Sequence, residues 1–393
     1  MKIYHLSHID LDGYGCQFVA REFFKDITFY NANYGKEVMA RLNAILGNIS
    51  SYKMRGNSNT ATLFGKTIKI EQKNPIQQNQ TKEKFIILIT DLNLTLNESK
   101  FLSEQVKELK VAGLDIEIIL LDHHATGEES AKMYSWYHLD VNRCATKITY
   151  EYLLERFGLQ ESTQVWLKPM VEMINSVDIW VESGFGFEFG KVAMSMIATS
   201  NELNRFMFDT ESRDYKLNLL QYARDFLKDS HVNKVGGLIE GKAFDEVEFD
   251  NAIFFLKKVA LGGDKETETM DNIVSRAQVK LLEMKKDECK IYYKDKTGFL
   301  SYCMGGISVV ANRFLHENKD EFDFYIDVSN RGNVSLRSNG GCDVSALSQE
   351  CFHGGGHKNA SGGRIENFRE SFLYEDIKAQ VQGILEMRDE WDL

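Results

Sequence analysis

No stretch of the chain approaches the ~18 uninterrupted apolar residues of a membrane-spanning helix. The opening MKIYHLSHIDLDG reaches polar residues too soon for a secretory signal, so a cytoplasmic location is expected. Six cysteines stand at positions 16, 144, 289, 303, 342 and 351, with no C-x-x-C pair among them. That scatter fits neither a thiolate zinc site nor a disulfide framework, and the residues read as mostly buried, reduced thiols. A basic excess is missing as well. The formal net charge of −11 argues against a dedicated reader of long duplex DNA, which presents a basic face. Short anionic substrates stay open, because bound divalent cations reverse the local field. No serine or cysteine stands in a recognisable nucleophile arrangement with a histidine. Nor is a separate nucleic-acid module, such as an OB-fold, evident.

With 393 residues, 43% of them hydrophobic and 27% charged, the chain has ordinary globular composition and exceeds the usual size of one core. More than one domain is expected. The segments KIYHLSHIDLD (2–12), KFIILITDLN (84–93) and DIEIILLDHH (115–124) share one pattern, an apolar run that meets an aspartate. Short runs rich in Ile and Leu, separated by helical stretches, predict a parallel sheet with crossover helices. Ligands of such sheets gather beyond the carboxyl ends of the strands. Asp10, Asp12, Asp91, Asp122, His123 and His124 should therefore converge at one rim.

The polar stretch between Arg55 and Lys84, including NPIQQNQTKEK, reads as a loop or a protruding hairpin. TKITYEYLLERFG (146–158) predicts a helix stopped by Gly158, and QVWLKPMVEMINSVDIWV (164–181) a buried helix despite Pro169. Helical periodicity then dominates to about Glu288. Its basic end, SRAQVKLLEMKKDECK, fits a solvated helix face better than a nucleic-acid surface. From Lys290 the pattern changes again, with strands expected at KIYYK, GFLSYCMG, FDFYIDVS and NVSLRS, and helices at SVVANRFLHEN and DVSALSQECF. The expected division is 1–184, a mainly helical connector at 185–289, and a smaller α/β domain at 290–393. Between Arg331 and Arg369 five Lys/Arg stand against three Asp/Glu, a locally positive window in an acidic chain.

Crowded ionisable side chains need something positive between them. Divalent ions such as Mn²⁺ and Mg²⁺ favour carboxylate, imidazole and water ligands. His8, Asp10 and Asp12 offer such groups after the first strand, Asp91 after the second and His123 after the third. Asp178 adds a carboxylate from the apolar helix segment NSVDIWV, as a metal ligand or else as a helix cap or ion-pair partner.

The order H-x-D-x-D-G, strand-Asp, strand-Asp-His-His, helix-Asp resembles the DHH phosphoesterase superfamily, named for the triplet found here at 122–124. NVSLRSNGGCDVSALSQECFHGGGHKNASGGRI (333–365) resembles the DHH-associated C-terminal domain, marked by an S-L-R-S strand and a G-G-G-H loop. The resemblance covers both ends of the chain and leaves the connector out. It implies an α/β architecture: a Rossmann-like parallel-sheet domain, a helical connector and a smaller C-terminal α/β domain, with the active site in the interdomain cleft.

The resemblance also implies two divalent ions, Mn²⁺ first and Mg²⁺ or Co²⁺ next. Asp91 falls where the family places a bridging carboxylate, Asp10 serves one ion, and Asp12, His123 and Asp178 serve the other. His124 matches the histidine that contacts the phosphate, and Asp122 would orient an imidazole from behind. Many relatives carry a histidine four residues before the first Asp, where this chain has Leu6. The RecJ-like ones use an Asp two residues before it, where His8 stands. His8 is therefore assigned to the first ion, with His5 a poorer substitute. Arg337 matches the phosphate-binding arginine of the S-L-R-S strand, whose planar fork suits that task. Gly354, Gly355, Gly356 and His357 match the loop that approaches the nucleotide. Asn359 and Arg331 are neighbours of this group or ordinary surface residues.

The reaction implied is in-line attack on phosphorus by a hydroxide shared between the ions, with no covalent intermediate. The first expectation for the substrate is very short single-stranded RNA, cut to mononucleotides as an oligoribonuclease (nanoRNase) does. The alternatives are cyclic or linear dinucleotides, or 3′-phosphoadenosine 5′-phosphate. A catalytically inactive nucleotide-binding regulator is a further alternative, which the presence of both Asp91 and Asp178 disfavours. A family II pyrophosphatase shares the first domain type but not the G-G-G-H pattern. A homodimer is compatible with all of these.

Overall fold

In the computed structural model, which describes residues 1–57, 60–63, 66–69, 83–229, 246–264 and 266–386, the three aspartate-terminated runs lie side by side. The elements are β1 (Lys2–Ser7), α1 (Leu11–Phe23), β2 (Ile27–Asn31), α2 (Lys36–Asn57), β3 (Thr60–Leu63), β4 (Lys66–Lys69), β5 (Lys84–Thr90), α3 (Leu96–Val111), β6 (Asp115–Asp122), α4 (Glu128–Met133), β7 (Tyr137–Leu139), α5 (Ala145–Phe157), α6 (Glu161–Asp178) and α7 (Phe187–Thr199). Strands β2-β1-β5-β6-β7 form one parallel sheet in that order. Both faces are covered, which is why the strands read as near-continuous apolar runs. Along β5, Phe85, Ile87 and Ile89 enter a core with Leu42 and Ile45 of α2 and Leu102 and Val106 of α3. Ile86 and Leu88 point the other way, to Ala20 of α1 and Ile148 and Leu153 of α5.

The chain leaves β1 in one direction to reach β2 and returns to the opposite side of β1 as β5. The crevice beyond the ends of β1 and β5 is thus a topological switch point, where open α/β sheets take their ligands. His8 and Asp10 follow β1, and Asp91 follows β5. Gly13 makes the tight turn into α1 possible, since a Cβ there would lie 2.4 Å from the His8 carbonyl oxygen.

The predicted helix at 146–158 is α5, ending at Gly158, and α6 runs through Pro169. Val165, whose carbonyl loses its usual N–H partner to Pro169, is exposed, so water can replace it. Residues 60–63 and 66–69 pair antiparallel, the hairpin alternative for the polar stretch; most of NPIQQNQTKEK lies outside the described residues.

By contacts the chain divides into two units, residues 1–198 with 220–247 and residues 199–219 with 248–393. The connector is helical, comprising α7, α8 (Asp209–Asp229), α9 (Glu246–Ala260) and α10 (Met270–Met284), and its helices are shared between the units. At its basic end Arg276 pairs with Glu268, and Lys286 and Lys290 both pair with Glu321. These cations are engaged within the fold. Among the described residues no helix is long and apolar enough to cross a membrane. All six cysteines are free, and all but Cys303 are buried.

The distinct C-terminal α/β unit follows with β8 (Lys290–Tyr293), β9 (Lys296–Tyr302), α11 (Ser308–Glu317), β10 (Phe324–Val328), β11 (Asn333–Ser338), α12 (Val344–Phe352), β12 (Gly355–His357), β13 (Ala360–Arg364) and α13 (Tyr374–Glu386). Its sheet runs β12-β13-β11-β10-β9-β8, with Phe299, Phe314, Phe322 and Tyr325 packed ring against ring beneath. The expected strands and helices of this region are present, whereas β12, β13 and α13 had no sequence-based counterpart. One correction follows: the G-G-G-H segment is an edge strand, not a loop, with Gly355, Gly356 and His357 paired to Gly362, Ser361 and Ala360. Gly354 leads into it where a Cβ would stand 1.9 Å from the Gly362 carbonyl oxygen, so the strand can close only over a glycine.

Candidate metal centre

Seven ionisable side chains meet beyond the carboxyl ends of β1, β5 and β6. Asp10 is the N-cap of α1, its Oδ1 accepting from the Gly13 N–H at 2.9 Å. Its Oδ2 lies 2.9 Å from His8 Nδ1, and the same nitrogen is 3.7 Å from Asp91 Oδ2. Asp12, in the first turn of α1, is buried against the start of α5. Ala145 N–H donates to its Oδ2 at 2.7 Å and Thr146 N–H to its Oδ1 at 2.8 Å. Amides at the N-terminus of α5 thus hold this carboxylate in place.

His123 occupies the middle. Its Nε2 is 3.3 Å from Asp91 Oδ1, 3.6 Å from Asp178 Oδ2 and 3.7 Å from Asp12 Oδ2. Asp178 closes the group from the last position of α6. The ligand atoms of His8, Asp10 and Asp91 lie within 4.8 Å of one another, as do those of Asp12, His123 and Asp178. Asp91, His123 and His124 form a third such group. Asp91 therefore faces both of the first two triads.

The electrostatics are those of a candidate cation site. Asp91 is 1% exposed, and its Oδ2 has no hydrogen-bond partner among the described residues; neither has the buried Oδ2 of Asp178. Burial, reinforced by Asp12 and Asp10, pushes the Asp91 carboxyl well above the usual range and Asp178 up to about 9. A positive charge placed between them would satisfy these buried oxygens and offset the cost of their burial. Asp91 also adopts a left-handed backbone, φ +55°, a conformation that costs energy and collects at functional positions.

His124 points at the cluster from one side. Its Nδ1 bonds Asp122 Oδ1 at 2.7 Å, and the other Asp122 oxygen accepts from the Tyr137 hydroxyl at 2.6 Å. The Asp122 bond raises the pKa of His124. Asp122 is fully buried and orients the imidazole from behind. His5 takes no part: it is buried in the sheet, its Nε2 2.8 Å from Thr90 Oγ1, and burial lowers its pKa to about 3.

Two residues near the centre carry no motif. Asn31, at the end of β2, donates from Nδ2 to the His8 carbonyl at 2.9 Å. Tyr34 places its hydroxyl 3.1 Å from His124 Nε2. Reading ITFYN as a strand would have drawn attention to both, because it ends at the same rim.

In the second unit Arg337 stands on the open face of β11. Nη1 donates to the Leu336 carbonyl at 2.8 Å and Nη2 to Ser308 Oγ, at the start of α11, at 2.9 Å. Among the described residues it has no carboxylate partner. Register places Arg337 opposite Ala360 and Ala360 opposite His357. The three share one face, and strand spacing sets Arg337 and His357 about 10 Å apart across a small residue. Asn359 lies in the turn between β12 and β13, and Arg331 is exposed before β11.

Residues 297–391 match the DHHA1 domain family model. The chain is 52% identical over 385 residues to the 3′,5′-cyclic-nucleotide phosphodiesterase of Helicobacter pylori (strain ATCC 700392 / 26695), covering 98% of this chain and 99% of that one. The crystal structure of an uncharacterized protein from Helicobacter pylori G27, also 52% identical, superposes with a TM-score of 0.83, covering 98% of this chain and 99% of that one.

Proposed function

The chain belongs to the DHH/DHHA1 phosphoesterase superfamily and is a metal-dependent phosphodiesterase, and from that premise we propose that its substrate is a 3′,5′-cyclic nucleotide. The observation that carries the substrate is the 52% identity, over nearly the whole of both chains, with a protein named for that activity. The short-RNA expectation ranks behind it, since no comparable similarity supports it. In the reaction water adds to phosphorus, one P–O ester bond of the cyclic phosphate breaks, and a nucleoside monophosphate with a free hydroxyl leaves.

The unpartnered buried oxygens of Asp91 and Asp178, together with the mixed imidazole and carboxylate donors, fit divalent cations such as Mn²⁺. His8, Asp10 and Asp91 would hold one ion; Asp12, His123 and Asp178, sharing Asp91, would hold the other. Bound there, such ions supply the acidified water and the positive field that phosphodiester hydrolysis requires. The protein's own part is positioning. Asp12 is fixed by two α5 amides, and Asp91 by its strand-end backbone. His124, held through Nδ1 by Asp122, presents Nε2 to a phosphate oxygen or to the departing alkoxide. In the second unit, Arg337 and the Gly354–His357 segment are the proposed substrate-binding residues, Arg337 through its planar guanidinium fork.

The test is turnover with Mn²⁺ of 3′,5′-cyclic AMP and GMP, cyclic and linear dinucleotides, and di- to pentaribonucleotides. The cyclic mononucleotides should lead in kcat/KM; a lead by the oligoribonucleotides overturns the assignment. Arg337→Ala should lower kcat/KM on the best nucleotide by ~10–1000-fold, the range for losing charge-assisted contacts. Hydrolysis of bis-p-nitrophenyl phosphate, which has no nucleoside, should change little, and Arg337→Lys should recover only part of the loss. An equal drop on both substrates would mean that Arg337 supports the fold instead.

A further inference from the structure

We propose that Tyr34 is a positioning residue that aims His124 at the reacting phosphate, an assignment that rests on the phosphodiesterase reading but not on which nucleotide is cleaved. Tyr34 lies three residues past the end of β2, in the turn that leads into α2. Its backbone N–H donates to Asn33 Oδ1 at 2.9 Å, and Gly35 follows at φ +84°. Asn31, the last residue of β2, is tied to the His8 carbonyl. The loop that carries Tyr34 is therefore anchored to the same strand end that carries His8 and Asp10.

The ring is held between two imidazoles. Its centroid is 4.8 Å from that of His8, and it meets His124 edge-on at 5.8 Å with an interplanar angle of 81°. This packing delivers the hydroxyl to 3.1 Å from His124 Nε2. The other ring nitrogen is committed to Asp122, itself locked by Tyr137. His124 is thus gripped at both nitrogens, through Nδ1 by a buried carboxylate and through Nε2 by a phenol. Only Nε2 can face substrate. Tyr34 is 41% exposed, so the grip on Nε2 comes from the open side, where a phosphate would enter.

A phenolic hydroxyl both donates and accepts. It can share Nε2 with an incoming phosphate oxygen and keep the ring plane fixed during the exchange. Without it the imidazole is restrained at Nδ1 alone and can tilt about that bond. A misplaced catalytic group costs rate more than binding.

Tyr34→Phe keeps the ring on His8 and removes only the hydroxyl. With bis-p-nitrophenyl phosphate, kcat should fall about tenfold, within the ~10–100-fold seen when an orienting partner is lost, while KM stays within about twofold. The Mn²⁺ dissociation constant, measured by calorimetry, should not move. In a His124→Ala background the same substitution should change kcat by less than about twofold, because residues that act through one another are not additive. An equal fall in both backgrounds, no fall at all, or a shift in Mn²⁺ affinity overturns the proposal. The simple diester reports on this centre whichever nucleotide is preferred, so a failed cyclic-nucleotide assignment leaves the result readable.

Discussion

Asp91→Asn should reduce turnover on every substrate by more than about 1,000-fold, well beyond the ~10–100-fold cost of losing a group behind a ligand. Asparagine is the informative replacement. It tolerates the left-handed backbone at this position, φ +55°, better than alanine does, so the fold is not strained by the change. It also removes a buried carboxylate whose Oδ2 has no hydrogen-bond partner among the described residues and whose ionised form is opposed by burial and by Asp12 and Asp10. The metal-free variant should therefore melt at or above the temperature of the metal-free parent. Mn²⁺ should raise the parent's Tm, because it binds only the folded state, and should raise the variant's far less. Melting curves with and without Mn²⁺, alongside turnover, check all three statements. Retention of a hundredth of the activity, or a full Mn²⁺-induced rise in Tm, would remove Asp91 from the shared position.

Chelation should abolish activity completely and lower Tm, and Mn²⁺ should restore both. Calcium should restore neither in full. Its ~6–8 flexible oxygen ligands suit a compact cluster with two imidazoles poorly, and His8 and His123 each stand within 3.7 Å of two or more carboxylate oxygens. The loss on chelation has a local cause. Without a cation, Asp91 and Asp178 bury oxygens that no hydrogen bond among the described residues satisfies. Full activity after prolonged exposure to excess EDTA would exclude the two-ion reading.

Much of this centre was legible because the strands that carry it are buried on both faces. An apolar run that stops at an aspartate marks both a strand and its carboxyl end, so β1, β5 and β6 and the residues after them could be placed from the sequence. Asp178 was legible for the opposite reason, a lone carboxylate in an apolar helix. The edge elements were not. β2 is only partly buried over Ile27–Tyr30 and β7 has three residues, so neither shows a clear apolar run. With β2 went Tyr34 and Asn31, which stand near the centre through their place at the strand end and belong to no motif. In the second unit, β12 and β13 are rich in glycine, a residue with low strand preference. The G-G-G-H segment therefore reads as a turn. Only the pairing with Ala360–Gly362, and the close approach at Gly354, reveal a strand that sets His357 in the row of Arg337.

The most direct measurement is the Mn²⁺ content of the purified, metal-stripped and reloaded protein, counted per chain on the same sample whose turnover of 3′,5′-cyclic AMP is recorded. Two ions per chain are expected when activity is full, with activity rising only as the second site fills, and at most one ion in Asp91→Asn. Full activity with one ion per chain, or two ions retained by an inactive Asp91→Asn, would contradict a centre in which Asp91 joins both metals.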